Sequence, residues 1–148
     1  MPAIAASIDI SRSPEEVFRY VTDPLHYPEW QGSVASASRE RDAALAVGSR
    51  AVVTRRVGPR EIATTEEIAE LNPPRTWTVR GTGGPPVVAI AKGAIEPLDD
   101  GKRSRVTIAL EFEGHRIGRL LAPVFRRQAR KQLPRNEQAL KERLENGD

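Results

Sequence analysis

Cysteine is absent from all 148 residues, which removes disulfides, thiolate nucleophiles and cysteine-bound zinc together. Histidine is nearly as scarce. His26 and His115 are the only two, too few for most metal centres, so neither a metal site nor a cofactor is expected. Long apolar runs are missing as well: nothing approaches the roughly 18 to 20 residues that cross a bilayer. The segment Met1 to Ile10 has no basic flank and no cleavable apolar stretch, so it reads as structure rather than as a secretory signal. A soluble protein with the cytoplasm as its default location, and with no stable membrane insertion, is the expectation. Aromatic residues make up only 5% of the chain.

What is present fits one globular unit. Hydrophobic residues account for 39% and charged residues for 29%, and this length can bury a core without covalent staples. A single domain over residues 1–148 is expected. The net charge is +3, with nineteen Arg against four Lys. That bias points to a GC-rich bacterial genome more than to anionic partners. Its distribution is uneven, for His115 to Arg135 holds six arginines and one lysine with no acid, and Glu137 to Asp148 then returns compensating negative charge.

Along the chain, Ile4, Ala6, Ile8 and Ile10 alternate with Ser7 and Asp9, the pattern of a strand with one apolar face. Ser13-Pro14-Glu15-Glu16 then places a hydroxyl at an N-cap, proline at the first helical position and glutamate at the third, completing a capping box. Val17, Phe18 and Val21 form the buried stripe of that helix. Asp23-Pro24 ends it, and a second short helical segment follows over Leu25 to Trp30. From Ser33 to Phe112 the sequence reads as six antiparallel strands: Ser33 to Ser38, Arg50 to Val57, Glu61 to Leu71, Thr76 to Gly81, Val87 to Glu96 and Arg103 to Glu113. Gly58-Pro59, Asn72-Pro73-Pro74 and Asp99-Asp100-Gly101 supply the breaks, and Gly81 to Pro86 is a loop by composition. From Ile117 onward Leu121, Phe125, Ala129, Leu133, Leu140 and Leu144 recur at helical spacing. About 25 residues of helix are predicted. Pro134 falls inside it and predicts either a kink near Arg130 or two helices meeting there.

This order of elements is that of an α+β helix-grip fold, a curved antiparallel sheet of about seven strands around a long C-terminal helix. The segments Ile8 to Phe18, Val21-Thr22-Asp23-Pro24 and Pro28-Glu29-Trp30 resemble the start of the START-like (SRPBCC) superfamily, in its polyketide cyclase/dehydrase branch. Leu71 to Arg75, Glu96-Pro97-Leu98 and Gly118 to Pro123 are similar to the same branch, so the resemblance spans nearly the whole chain. It implies a hydrophobic pocket between sheet and terminal helix, binding a lipid- or polyketide-like small molecule. A cofactor-independent cyclase or dehydratase using that pocket is the alternative, with a simple binding role favoured over catalysis.

For such a pocket the inward strand positions matter most. Val87, Ala89, Ala91, Gly93 and Ile95 share one face and are mostly small; they either leave room for a ligand or let the helix pack closely. Val106, Ile108, Leu110 and Phe112 form the matching face of the last strand. The expected lining or entrance comprises Trp30, Trp77, Val79, Ala89, Ala91, Ile108, Leu110, Leu121 and Phe125, with Trp30 weighed as an entrance gate against plain core. Titratable groups available for chemistry are Tyr20, His26, Tyr27, Arg55, Glu66 and Glu111, and no two of them form a dyad by spacing. No phosphate loop, nucleophile elbow or zinc-protease histidine pair is present. Arg116, Arg119, Arg126, Arg127, Arg130, Lys131 and Arg135 are read as a solvated helix face partly paired with Glu66 and Glu67. An adaptor surface for anionic lipid or protein is the alternative, and nucleic acid is not expected, because stacking aromatics are absent from the stretch.

Overall fold

The computed structural model describes residues 3–82, 87–114 and 117–147. Strand β1 (Ile4–Ile10) leads into helix α1 (Pro14–Thr22), a 3-10 turn at Pro24–His26 and the single-turn helix α2 (Tyr27–Trp30). Six strands follow: β2 (Val34–Arg39), β3 (Arg50–Val57), β4 (Arg60–Asn72), β5 (Thr76–Thr82), β6 (Val87–Leu98) and β7 (Arg103–Gly114). Helix α3 (Ile117–Asn146) closes the chain. All seven strands form one antiparallel sheet in the order β1-β7-β6-β5-β4-β3-β2. The meander is sequential, and β1 completes it by pairing with β7. This is the helix-grip arrangement that the element order predicts.

Local chemistry explains the junctions. Ser13 Oγ accepts the Glu16 backbone N–H at 3.3 Å and caps α1. The reciprocal half of the expected capping box is not the contact Glu16 makes; its carboxylate turns to Arg12, 3.3 Å from Nε, because a neighbouring guanidinium is the stronger partner. Asp23 ends α1 and caps the next turn by accepting the Leu25 N–H at 3.0 Å. Between β6 and β7 the chain reverses through Asp99, Asp100 and Gly101, all at positive φ, a conformation that Asp and Gly tolerate best.

Helix α3 is one unbroken element of 30 residues with Pro123 and Pro134 inside it, so the two-helix alternative at Pro134 is excluded. It lies against β1, β7 and β6 and touches α2. Ala122, Arg126, Ala129, Leu133, Glu137, Leu140 and Leu144 are its buried residues. The predicted stripe holds from Ala129 onward, but Phe125 is half-buried and Leu121 is exposed. The reason is geometric: each i+4 step overshoots a full turn by about 40°, so three steps back from Leu133 rotate the row by about 120°, out of the interface. Its C-terminal part is tied down by polar contacts. Lys141 Nζ donates to the Asp9 carbonyl at 2.7 Å, and Glu145 accepts the Ser11 N–H at 2.8 Å.

The core gathers between sheet and helices. Ile10, Val17, Val21, Val53, Val106 and Leu140 are fully buried within it. Trp77 on β5 meets Phe18 edge to face, with ring centroids 5.8 Å apart.

Candidate functional site

Between the sheet and α3 lies a cavity of about 250 Å³, the volume of roughly eight liquid waters and near the lower edge of the usual range for small-molecule sites. Its origin is visible on β6. A Cβ at Gly93 would stand 2.1 Å from Trp77 Cζ2, so at that position the missing side chain is taken up by the indole. Ala89 and Ala91, four and two residues earlier on the same face, instead border open volume. The small-residue face thus leaves room at Ala89 and Ala91, while at Gly93 the space goes to a side chain of the neighbouring strand and not to the helix.

Of the expected lining, Trp30, Trp77, Val79, Ala89, Ala91, Ile108, Leu110 and Phe125 all stand on the cavity wall. Leu121 is the correction. It faces outward, for the helical-phase reason given above, and Phe125, stacked on Phe112 with centroids 6.4 Å apart, is the helix aromatic that closes this side. Trp30 is 6% exposed and packs edge to face on Tyr27 at 6.0 Å. It lines the interior instead of standing at the surface. Its Nε1 is buried without a partner, a destabilising arrangement.

One corner of this apolar space is polar. Arg55 on β3 and Glu66 on β4 form a partly buried ion pair, Nη2 to Oε2 at 2.8 Å and Nε to the same oxygen at 3.3 Å. Arg55 Nη1 also donates to Gln31 Oε1 at 3.0 Å and to Ser33 Oγ at 3.4 Å. The guanidinium is thus held from three directions in one orientation. Tyr27 lies on the same wall; burial first, then the Glu66 carboxylate, pushes its phenol well above the usual range, so it stays a neutral hydroxyl. Gln128, Gln132 and Asn136 of α3 face the cavity as well. Asn136 Oδ1 accepts the Gly32 N–H at 3.1 Å, tying the helix to the loop that carries Gln31 and Ser33.

The other titratable candidates fall elsewhere. Tyr20 stacks on His26 at 4.3 Å and donates to Glu29, which also lies 3.3 Å from His26 Nδ1. None of the three lines the cavity. The Tyr20 hydroxyl and His26 hold the Glu29 carboxyl below its ordinary range. Glu111 sits on the outer face beside Lys92 at 3.6 Å. Among the described residues the strand acids expected to meet the helix arginines have β3 cations beside them: Arg55 takes Glu66, and Arg50 lies 3.4 Å from Glu67. Cross-strand register sets Arg50 directly opposite Glu67, whereas Arg55 reaches Glu66 along the sheet. His115, Arg116 and residues 83–86 of the predicted loop lie outside the described residues.

Sequence reasoning passed over Glu137. It is 2% exposed in the middle of α3, and its Oε2 has no partner. Burial raises its carboxyl to about 7, only partly offset by the Ile108 backbone N–H. A glutamate in register with Leu133, Leu140 and Leu144 was the available signal. Among the described residues no group of three or more His, Asp or Glu is placed to hold a metal ion, and no helix is long and apolar enough to cross a membrane.

A seven-stranded sheet, a gripped terminal helix and an apolar cavity between them define a START-like helix-grip protein. The chain belongs to the family described as polyketide cyclase / dehydrase and lipid transport, whose model matches residues 1–145. Solved structures agree on the fold. A START superfamily protein from Mycobacterium smegmatis superposes with a TM-score of 0.79 at 15% identity, covering 99% of each chain. A protein from Thermus thermophilus gives 0.78 at 18% identity, again over 99% of both chains. The Zhui aromatase/cyclase from Streptomyces sp. R1128 gives 0.75 at 14% identity, covering 97% of this chain and 93% of its own. No curated protein sequence matches the chain.

Proposed function

We propose that this protein is a single START-like domain, residues 1–148, that binds a hydrophobic small molecule in the cavity between sheet and α3. The observation that carries this is the cavity itself: about 250 Å³, walled mainly by apolar side chains, with one fixed polar corner at Arg55 and Glu66. An apolar wall with few oriented polar groups is the usual form of a small-molecule site. Because Glu66 already offsets the charge of Arg55, the corner favours a neutral carbonyl or hydroxyl over a carboxylate. The volume suits a compact ring system better than an extended acyl chain. Family membership supports a lipid- or polyketide-like ligand, and the arginine-rich, cysteine-free composition supports a bacterial, cytoplasmic setting.

Uptake of an environment-sensitive apolar dye, with native mass spectrometry of the purified protein, tests the reading. A saturable dye signal displaced by aromatic ketones is expected; no bound species together with no dye uptake would overturn it. Arg55→Met is expected to weaken an aromatic ketone about tenfold, the equivalent of one charged hydrogen bond, while leaving a hydrocarbon dye unaffected.

A second reading, a cofactor-independent cyclase or dehydratase, is favoured by one specific observation. Two titratable groups, Tyr27 and Glu66, stand on the cavity wall where a bound polyketide would meet them. Product formation from a poly-β-ketone that disappears in Glu66→Gln while binding persists supports it. Unchanged product formation in that variant removes Glu66 from the chemistry.

A further inference from the structure

The first turns of α3 carry a surface that the cavity does not explain. Leu120 is 78% exposed, Val124 61% and Leu121 37%, although burying such side chains is what usually decides a helix's orientation. Leu120, Val124, Arg127, Lys131 and Arg135 follow one another at steps of three or four residues, so they form a single row on the face opposite the buried stripe. The row is graded. Two apolar turns at the N-terminal end give way to cations, with Arg119 and Arg130 beside them, and no acid occurs in α3 before Glu137. Among the described residues none of Arg119, Arg127, Arg130, Lys131 and Arg135 forms an ion pair.

We infer that this end of α3 docks on an anionic lipid bilayer, with Leu120, Leu121 and Val124 entering the acyl boundary and Arg127, Lys131 and Arg135 resting among the headgroups. About 16 Å separates Leu120 from Lys131 along the axis, so a helix inclined with its N-terminal turns downward meets both layers at once. Other occupants fit less well. An antiparallel pairing of two copies through this face sets the leucines of each against the cations of the other. A nucleic acid would satisfy the cations and leave the apolar turns in water. Phe125 and Gln128 on the same turns line the cavity, so the docked edge lies beside the binding site. The inference stands apart from the ligand reading, since it needs no occupant in the cavity.

Flotation of the full chain with phosphatidylserine-containing or phosphatidylcholine-only vesicles, at low and high salt, tests it. Binding is expected on the anionic vesicles only, weakened by salt. Arg127→Gln and Lys131→Gln each lower partitioning about fivefold, and Leu120→Ser with Val124→Ser lowers it at least tenfold. These positions are exposed, and an unchanged thermal melt confirms that the variants fold. Dye uptake serves as the control: vesicle binding lost with dye uptake intact in the Leu120→Ser, Val124→Ser variant supports docking. No flotation of the wild-type chain on anionic vesicles at low salt overturns it. So does flotation indifferent to Leu120 and Val124, or a dimer in sedimentation that the same variant dissolves.

Discussion

Gly93 and Glu137 illustrate how much one residue decides. With Trp77 Cζ2 at 2.1 Å from any added Cβ, Gly93→Ala forces the indole off its site and away from Phe18. A loss of about 2–3 kcal/mol is expected, typical of overpacking a well-filled core, and chemical denaturation measures it. At Glu137 the consequence depends on pH. Its carboxyl is raised to about 7 in the folded protein against roughly 4.3 in an unfolded chain. Between those values the folded state binds the extra proton, so stability falls as pH rises through the window. Glu137→Gln, which cannot ionise, is expected to stabilise the protein by about 1–3 kcal/mol near pH 8 and to change little near pH 4. Urea midpoints at the two pH values check this; an equal effect at both would mean that the charge is not the cause.

Elements were the most readable level. The bounds of β3 and the starts of β5, β6 and β7 coincide with the runs marked by Gly, Pro and Asp, because turn chemistry and alternation are local properties. Phase along α3 was less readable, since a stripe built from i+4 steps drifts and only the packed partner shows where it leaves the interface. The Arg55–Glu66 pair was hidden for a related reason. Arg55 lies opposite Ile62, and Glu66 is four residues further along β4, about 13 Å of strand that only two long side chains can bridge. Pro134 makes an element-scale prediction. In an unbroken helix it withholds one N–H from the carbonyl of Arg130, so Pro134→Ala, at an exposed position, is expected to raise the thermal midpoint, by the equivalent of about 1–2 kcal/mol. Calorimetry measures it, and a lowered midpoint would mean that proline's restraint of the unfolded chain dominates.

On the scale of the whole molecule the cavity is a difference between volumes. It exists because seven strands and a helix meet around side chains that do not fill the space between them, a sum no single position reveals. Ala91→Phe should therefore raise stability, by about 1–2 kcal/mol if the ring fills void without strain, while abolishing dye uptake. Thermal melts and dye titration on the same preparation check both halves. Greater stability with undiminished uptake would place the dye somewhere other than this cavity.

Asn136, Lys141 and Glu145 tie the C-terminal part of α3 to Gly32, Asp9 and Ser11, and at its other end only two residues separate Ile117 from Gly114 of β7. The helix is therefore a beam held at both ends, by hydrogen bonds at one and by the chain itself at the other. Between Ile117 and Asn136 it runs about 28 Å, and Phe125, Gln128 and Gln132 face the cavity from within that span. A beam on two supports bends less than a lever of the same length, so turning a side chain is a cheaper way to enlarge the chamber than swinging the rod.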